Sequence, residues 1–259
     1  MRILVIHFPI LRTRRLTVQL KELSIGESIA IAAMPSHLEE AVTTAFLLKA
    51  VASAKGIENP ADWTVQERMM VVCHYLASVS EDGPDFAVGD GRYSDYLDGS
   101  IDKALDQAIE LGEIEGDVWL LQDLTGAMAE SIERIQGEIE GVSGRLNWLL
   151  GCMSAQLIRK GEETPVPSDG EGSYDEHLIN RMRTISSFPE SSFAALMGAY
   201  MHGRESLHHL FKIELSSDGL VALPKGGEAS NLPPARFPVR TCVSRLAKDL
   251  GRKSDEPGV

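Results

Sequence analysis

The chain has 259 residues, 43% of them hydrophobic, with 25 basic against 38 acidic side chains and a net charge of −13. That size and apolar share suit a folded chain of one large or two small domains with a sizeable core, and the negative balance repels nucleic-acid phosphates. The three cysteines, Cys73, Cys152 and Cys242, form no CxxC pair, which argues against a zinc ribbon and a disulfide framework and for reduced thiols.

The N-terminal stretch MRILVIHFPILRTRR places its charges after its apolar run and lacks a small-residue cleavage site, a poor match to a signal peptide. No apolar stretch reaches the roughly 18–20 residues of a membrane span, and a soluble, cytoplasmic protein is expected. Arg12, Arg14 and Arg15 are the best local basic patch. Arg15–Leu23 alternates Leu16, Val18 and Leu20 with polar residues, as a half-buried strand does. Ser24 and Glu27 form an S-x-x-E capping box for a helix over Ile25–Met34 that Pro35 ends. Glu39–Ala54 is a second expected helix. Thr64 and Glu67 cap a third, whose stripe Val65, Met69, Val72, Cys73, Leu76 and Val79 has clear helical spacing.

Glu81–Gly99, EDGPDFAVGDGRYSDYLDG, is a long acidic loop. Beyond it the apolar spacing predicts a short helix over Ile101–Ile109, a helical stripe over Asp117–Ile135 that Gly126 interrupts, and a helix over Arg145–Arg159. Gly161–Gly172 reads as an exposed linker. Helices follow over Glu176–Ser187 and Glu190–Leu210, then a hairpin of Phe211–Leu215 and Leu220–Leu223 around Ser-Ser-Asp-Gly, a Gly/Pro-rich segment, and a short helix over Thr241–Leu250. The expected fold class is mainly α (α+β): a helical bundle-like body with a small N-terminal β element and a C-terminal hairpin. The expected division is a helical domain at 1–160 carrying loop 81–99, a smaller helical and hairpin region at 173–250, and a disordered tail at 251–259.

Several constellations bear on chemistry. Asp82, Asp85, Asp90, Asp95 and Asp98 are spaced 3, 5, 5 and 3, which fits no EF-hand window. Gly89-Asp90-Gly91 lacks the Lys-Ser/Thr of a phosphate loop. His202, Glu205 and His209 share a helical face, but seven residues place the two histidines about 10 Å apart, and no HExxH accompanies them. Cys73 and His74, as helical neighbours, point about 100° apart. Trp63, Trp119 and Trp148 read as core anchors. No catalytic, cofactor-binding or metal-ligating residue is assigned. The candidate partner-binding residues are Phe86, Asp90, Arg92, Tyr93 and Tyr96, with the aromatic rings pinning the loop to the body or to a partner.

Taken together, RLTVQLKELSIGESIAIAAMP, TTAFLLKAV, DWTVQERMMVVCHYLA, DGPDFAVGDGRYSDYLD, LTGAMAESIERI, Trp148 and MSAQL give the chain a resemblance over Arg15–Leu157 to tailed-phage tail morphogenesis proteins, with a layout similar to tail assembly chaperones and baseplate-hub proteins. The resemblance implies a non-enzymatic role: protein–protein binding to other tail proteins (tape-measure, tail-tube or baseplate components) in the host cytoplasm during assembly, or a place in the virion tail. No cofactor is expected, the negative charge and the lack of a long apolar stretch argue against nucleic-acid and membrane partners, and homo-oligomerisation is left open. Two alternatives remain at this point: a metal-dependent enzyme using loop 81–99 or the His202/His209 region, and a cytosolic adaptor unrelated to virions.

Overall fold

A computed structural model of the chain describes residues 6–169 and 171–252. The first few residues of the N-terminal stretch and residues 253–259 of the expected tail lie outside the described residues. In chain order the elements are β1 (Leu11–Arg12), β2 (Thr17–Leu20), α1 (Ile25–Ala33), α2 (Glu39–Ala50), β3 (Val51–Lys55), α3 (Val65–Val79), β4 (Ala87–Val88), β5 (Gly91–Arg92), β6 (Leu97–Asp98), β7 (Ile109–Ile114), β8 (Asp117–Leu121), α4 (Gly126–Arg134), α5 (Gly144–Gln156), β9 (Leu157–Arg159), α6 (Glu171–Ser186), α7 (Glu190–Arg204), β10 (Leu210–Ser216), β11 (Gly219–Leu223) and α8 (Arg245–Arg252).

The expectation of a mainly α bundle is corrected. The structure is 47% helical and 19% strand, a mixed α/β fold with four small sheets among the described residues, ordered β1-β2-β3, β11-β10-β6, β4-β5 and β7-β8-β9. Three segments expected as helix contribute strands instead. Val51–Lys55 leaves α2 and pairs antiparallel with β2, because the edge of β2 offers backbone partners that a longer helix would leave bare. The stretch around Ile109 and Val118 forms the β7–β8 hairpin. Its turn is Glu115-Gly116, both at positive φ (57° and 79°), the backbone that a two-residue hairpin turn demands. Leu157–Arg159 ends α5 early and adds to β8. Short apolar runs fit both periods, and tertiary pairing decides between them.

Local capping rules act where they were expected. Ser24 and Glu27 complete a capping box on α1, and Thr64 and Glu67 one on α3. α2 has no side-chain cap of its own. The Glu133 carboxylate, brought in by α4, accepts the amides of Glu40 and Ala41 at 3.0–3.2 Å, so a distant acid does the work of a local cap.

One core cluster draws on both expected segments, from Phe8 to Ala247. β6, at the end of the acidic loop, pairs with β10: Leu97 opposite Phe211 and Asp98 opposite Leu210. Trp63, Trp119 and Trp148 are all buried. Trp119 sits against the Phe188 ring and beneath the Arg159 and Arg181 guanidiniums. The three cysteines are free and buried; burial holds each thiol well above its usual range, which suppresses the reactive thiolate. Among the described residues no helix is long and apolar enough to cross a membrane.

Candidate functional site

Loop 81–99 leaves the C-terminus of α3 and is built by turns. Gly83 and Gly89 take positive φ, as chain reversals with no Cβ can, and β4 and β5 pair across Gly89-Asp90. Half of the loop's acids hold its own backbone. Asp85 accepts from the Ser94 amide and hydroxyl at 2.8 and 3.0 Å. Asp95 accepts the Arg92 amide at 2.7 Å. Asp98 accepts the Ser100 amide. This is what Asp does in turns, and it accounts for acids that do not converge on an ion.

Of the two anchorages expected for the three aromatic rings, the body or a partner, the structure shows the body: all three rings are inside the protein. Phe86 and Tyr93 are each 8% exposed and Tyr96 is 1% exposed. Phe86 and Tyr93 stack at 5.1 Å, and Phe237 meets the Phe86, Tyr93 and Tyr96 rings edge-on. The Tyr93 hydroxyl donates to Met70 Sδ and that of Tyr96 to the Pro233 carbonyl at 2.8 Å. Such rings bury a large apolar area while their polar ends find partners. Asp90 and Arg92 stay exposed, and the Arg92 guanidinium braces the loop through the Asp85 carbonyl. The outward face therefore carries Glu81, Asp82 and Asp90, which make no ion pair among the described residues.

The other sequence candidates separate in space. α7 ends at Arg204, a short 3-10 turn follows, and the shared helical face of His202 and His209 is lost. His202 is exposed beside Glu205, whereas His209 is 1% exposed with Nε2 at 2.9 Å from Thr64 Oγ1. His74 meets the Pro9 carbonyl, turned away from buried Cys73. Arg14 pairs with Asp106, and Arg15 reaches Glu67 and Asp123, so two of the three arginines of the basic patch are neutralised. Among the described residues no three His, Cys, Asp or Glu side chains group as metal ligands.

Sequence reading missed a buried charge cluster under α2. Arg68 on α3 is 1% exposed. Its Nη2 donates to the Glu40 carbonyl and to Thr44 Oγ1, both at 2.9 Å, with the Glu40 carboxylate at 3.7 Å. The Thr44 hydroxyl donates in turn to Glu130. Gly126, at the start of α4, makes room for the guanidinium: a Cβ there would lie 1.7 Å from Arg68 Nη1. The cluster borders a narrow cleft that Glu39, Trp148, Asp218 and Arg236 also line. In local sequence, Gln66-Glu67-Arg68 looks like a solvated helix face; only the packing of α2 and α4 against α3 buries it.

Burial raises Glu40 and pushes Glu133 up from 4.5 to about 7, more than the amides it accepts can offset. A carboxyl raised in the folded state favours folding while it is protonated, and that contribution is lost as pH rises from about 4.5 through about 7, on the order of 3 kcal/mol for this shift. His209, lowered from 6.5 to about 4 by burial and then by Arg15, has the opposite sign, its contribution being lost as pH falls through that window. Glu133→Gln keeps an acceptor for the α2 amides and removes the first slope. Urea unfolding at pH 5 and pH 7.5 is expected to show wild type losing stability relative to the variant at the higher pH. Parallel pH profiles would mean that Glu133 ionises as freely folded as unfolded.

Comparison of the chain with protein-family models, with curated proteins and with solved structures found no match.

Proposed function

We propose that the protein is a non-enzymatic tail morphogenesis factor or minor tail component of a tailed phage, acting by binding other tail proteins. The sequence resemblance motivates this reading. One observation supports the mode of action: loop 81–99 is locked from within by Phe86, Tyr93 and Tyr96, and so holds Glu81, Asp82 and Asp90 outward in a fixed arrangement. A preordered, charged projection loses little entropy on docking, and acids without internal partners favour a basic surface on the other side.

The test is density-gradient fractionation of phage-producing cells, with each fraction probed for the chain by mass spectrometry. The protein is expected with tail structures or with unassembled tail proteins. An Asp82→Lys/Asp90→Lys variant is expected to stay folded, since exposed substitutions usually change stability by only about 0.5 kcal/mol, and to lose about tenfold or more of that association. Recovery with neither pool would defeat the assembly role. Normal association of the folded variant would leave the role standing and remove the acidic hairpin from the contact.

A further inference from the structure

A buried indole N–H calls for an acceptor, and two of the three tryptophans have one. Trp63 Nε1 donates to the Ile57 carbonyl at 2.8 Å and Trp119 Nε1 to that of Ile114 at 3.1 Å. Trp148, on α5 and 2% exposed, donates to no acceptor among the described residues. Its proton is fixed, since an indole nitrogen only donates. Among the described residues, the polar side-chain atoms sealed inside without a partner belong to Arg68, Ser154, Arg159, Arg181, His209 and Arg240. Trp148 Nε1 is not one of them, so this donor keeps open surface. A Cβ on Gly219 would lie 3.5 Å from Trp148 Cζ2 and 3.7 Å from Cε2. Nε1 is bonded to Cε2, which places the N–H edge of the ring beside the β10–β11 turn.

That turn and the ring border a two-lobed cleft. An inner lobe of about 60 Å³ and an outer one of about 310 Å³ share Glu39, Glu133, Trp148, Asp218 and Arg236 as lining. The outer lobe alone reaches the lower end of small-molecule pockets, about 300–1,000 Å³. The charges left free in it have both signs. The Glu39 and Asp218 carboxylates have neither an ion pair nor a hydrogen bond among the described residues, where only their backbone groups are engaged. Arg236 is exposed, donates through Nη2 to the Asp218 carbonyl and makes no ion pair among the described residues. Burial raises Glu40 and Glu133, although Arg68 and Arg236 lower Glu40, the mark of carboxyls short of positive charge. A ligand of a single charge uses only half of this lining. An anion alone would enter against the carboxyls. A cation alone would leave the indole N–H and the Arg236 guanidinium without an acceptor, and a buried donor left unpaired costs free energy.

We propose that this cleft binds a small zwitterion, a free α-amino acid, with its carboxylate between the Trp148 N–H and Arg236 and its ammonium between Glu39 and Asp218. The inference does not rest on the assembly role. The test is titration of the full chain with each of the free L-amino acids in turn, followed by the indole N–H resonances, with acetate and methylamine as single-charge controls. Trp63 and Trp119, whose N–H groups are already bonded to carbonyls, serve as internal references. A saturable shift of the Trp148 resonance alone is expected with at least one amino acid, at a Kd on the order of 1 mM. Both controls are expected to bind about tenfold or more weakly, because each makes half of the charge-assisted contacts. Asp218→Asn and Arg236→Gln, both at exposed positions, are each expected to weaken amino-acid binding about tenfold. Three results would overturn the proposal: no saturation with any amino acid, equal binding of acetate or methylamine, or undiminished binding by the two folded variants.

Discussion

Tyr96→Ala is expected to destabilise the protein by about 3–5 kcal/mol, the range for emptying a large aromatic site in a core. Tyr96 is 1% exposed, packs edge-on to Phe237 and bonds the Pro233 carbonyl. It joins the acidic loop to a segment 137 residues further along the chain. Tyr96→Phe keeps the ring and leaves that carbonyl without its donor, for a loss of about 1 kcal/mol. With total stabilities of about 5–15 kcal/mol, alanine at Phe86, Tyr93 and Tyr96 together unfolds the chain. A triple variant at these positions therefore reports folding rather than partner binding, and the binding question passes to the exposed acids. Chemical denaturation of the two single variants measures the difference. An unchanged midpoint in Tyr96→Ala would mean that the loop is not anchored by this ring.

Arg68→Ala carries the second large effect. Its removal leaves the buried Glu40 carboxylate, 3.7 Å away, without its counter-charge and takes a nearby cation from Glu130 and Glu133, a change that costs about 3–5 kcal/mol when one partner of a buried ion pair is deleted. The cost has a definite pH dependence. Glu40 and Glu133 are already raised by burial, and Arg68 is one of the influences that lower Glu40. Without Arg68 both carboxyls protonate more readily, so the penalty shrinks towards pH 5 and grows towards pH 8. Arg68→Met, which retains most of the side-chain volume, separates packing from charge: it is expected to show the same pH trend with a smaller overall loss. A penalty that is flat in pH would show that Arg68 acts there through its volume alone.

Both predictions turn on residues whose environment is not local. The capping boxes at Ser24 and Thr64 are legible in the sequence because a cap and its partner are three residues apart. The α3 stripe is legible because its period repeats over fifteen residues. The Asp-rich loop is legible as a turn-forming segment because Asp and Gly permit those backbones by themselves. The direction in which Phe86, Tyr93 and Tyr96 face is not, since the partner ring Phe237 and the Pro233 carbonyl come from a distant segment.

Composition, charge and short-range periodicity thus determined the caps, the stripe of α3, the absence of any long apolar span and the acidic character of loop 81–99. Tertiary structure alone decided three things. It turned Val51–Lys55, Ile109–Leu121 and Leu157–Arg159 into sheet, because a run of apolar residues fits helix and strand alike until a neighbouring edge supplies backbone partners. It buried Arg68 and Glu133 by bringing α2, α3 and α4 together, which raised one carboxyl to about 7. And it joined Thr64 to His209, 145 residues apart in sequence, through Oγ1 and Nε2 at 2.9 Å, a contact that follows from distance in space and not along the chain.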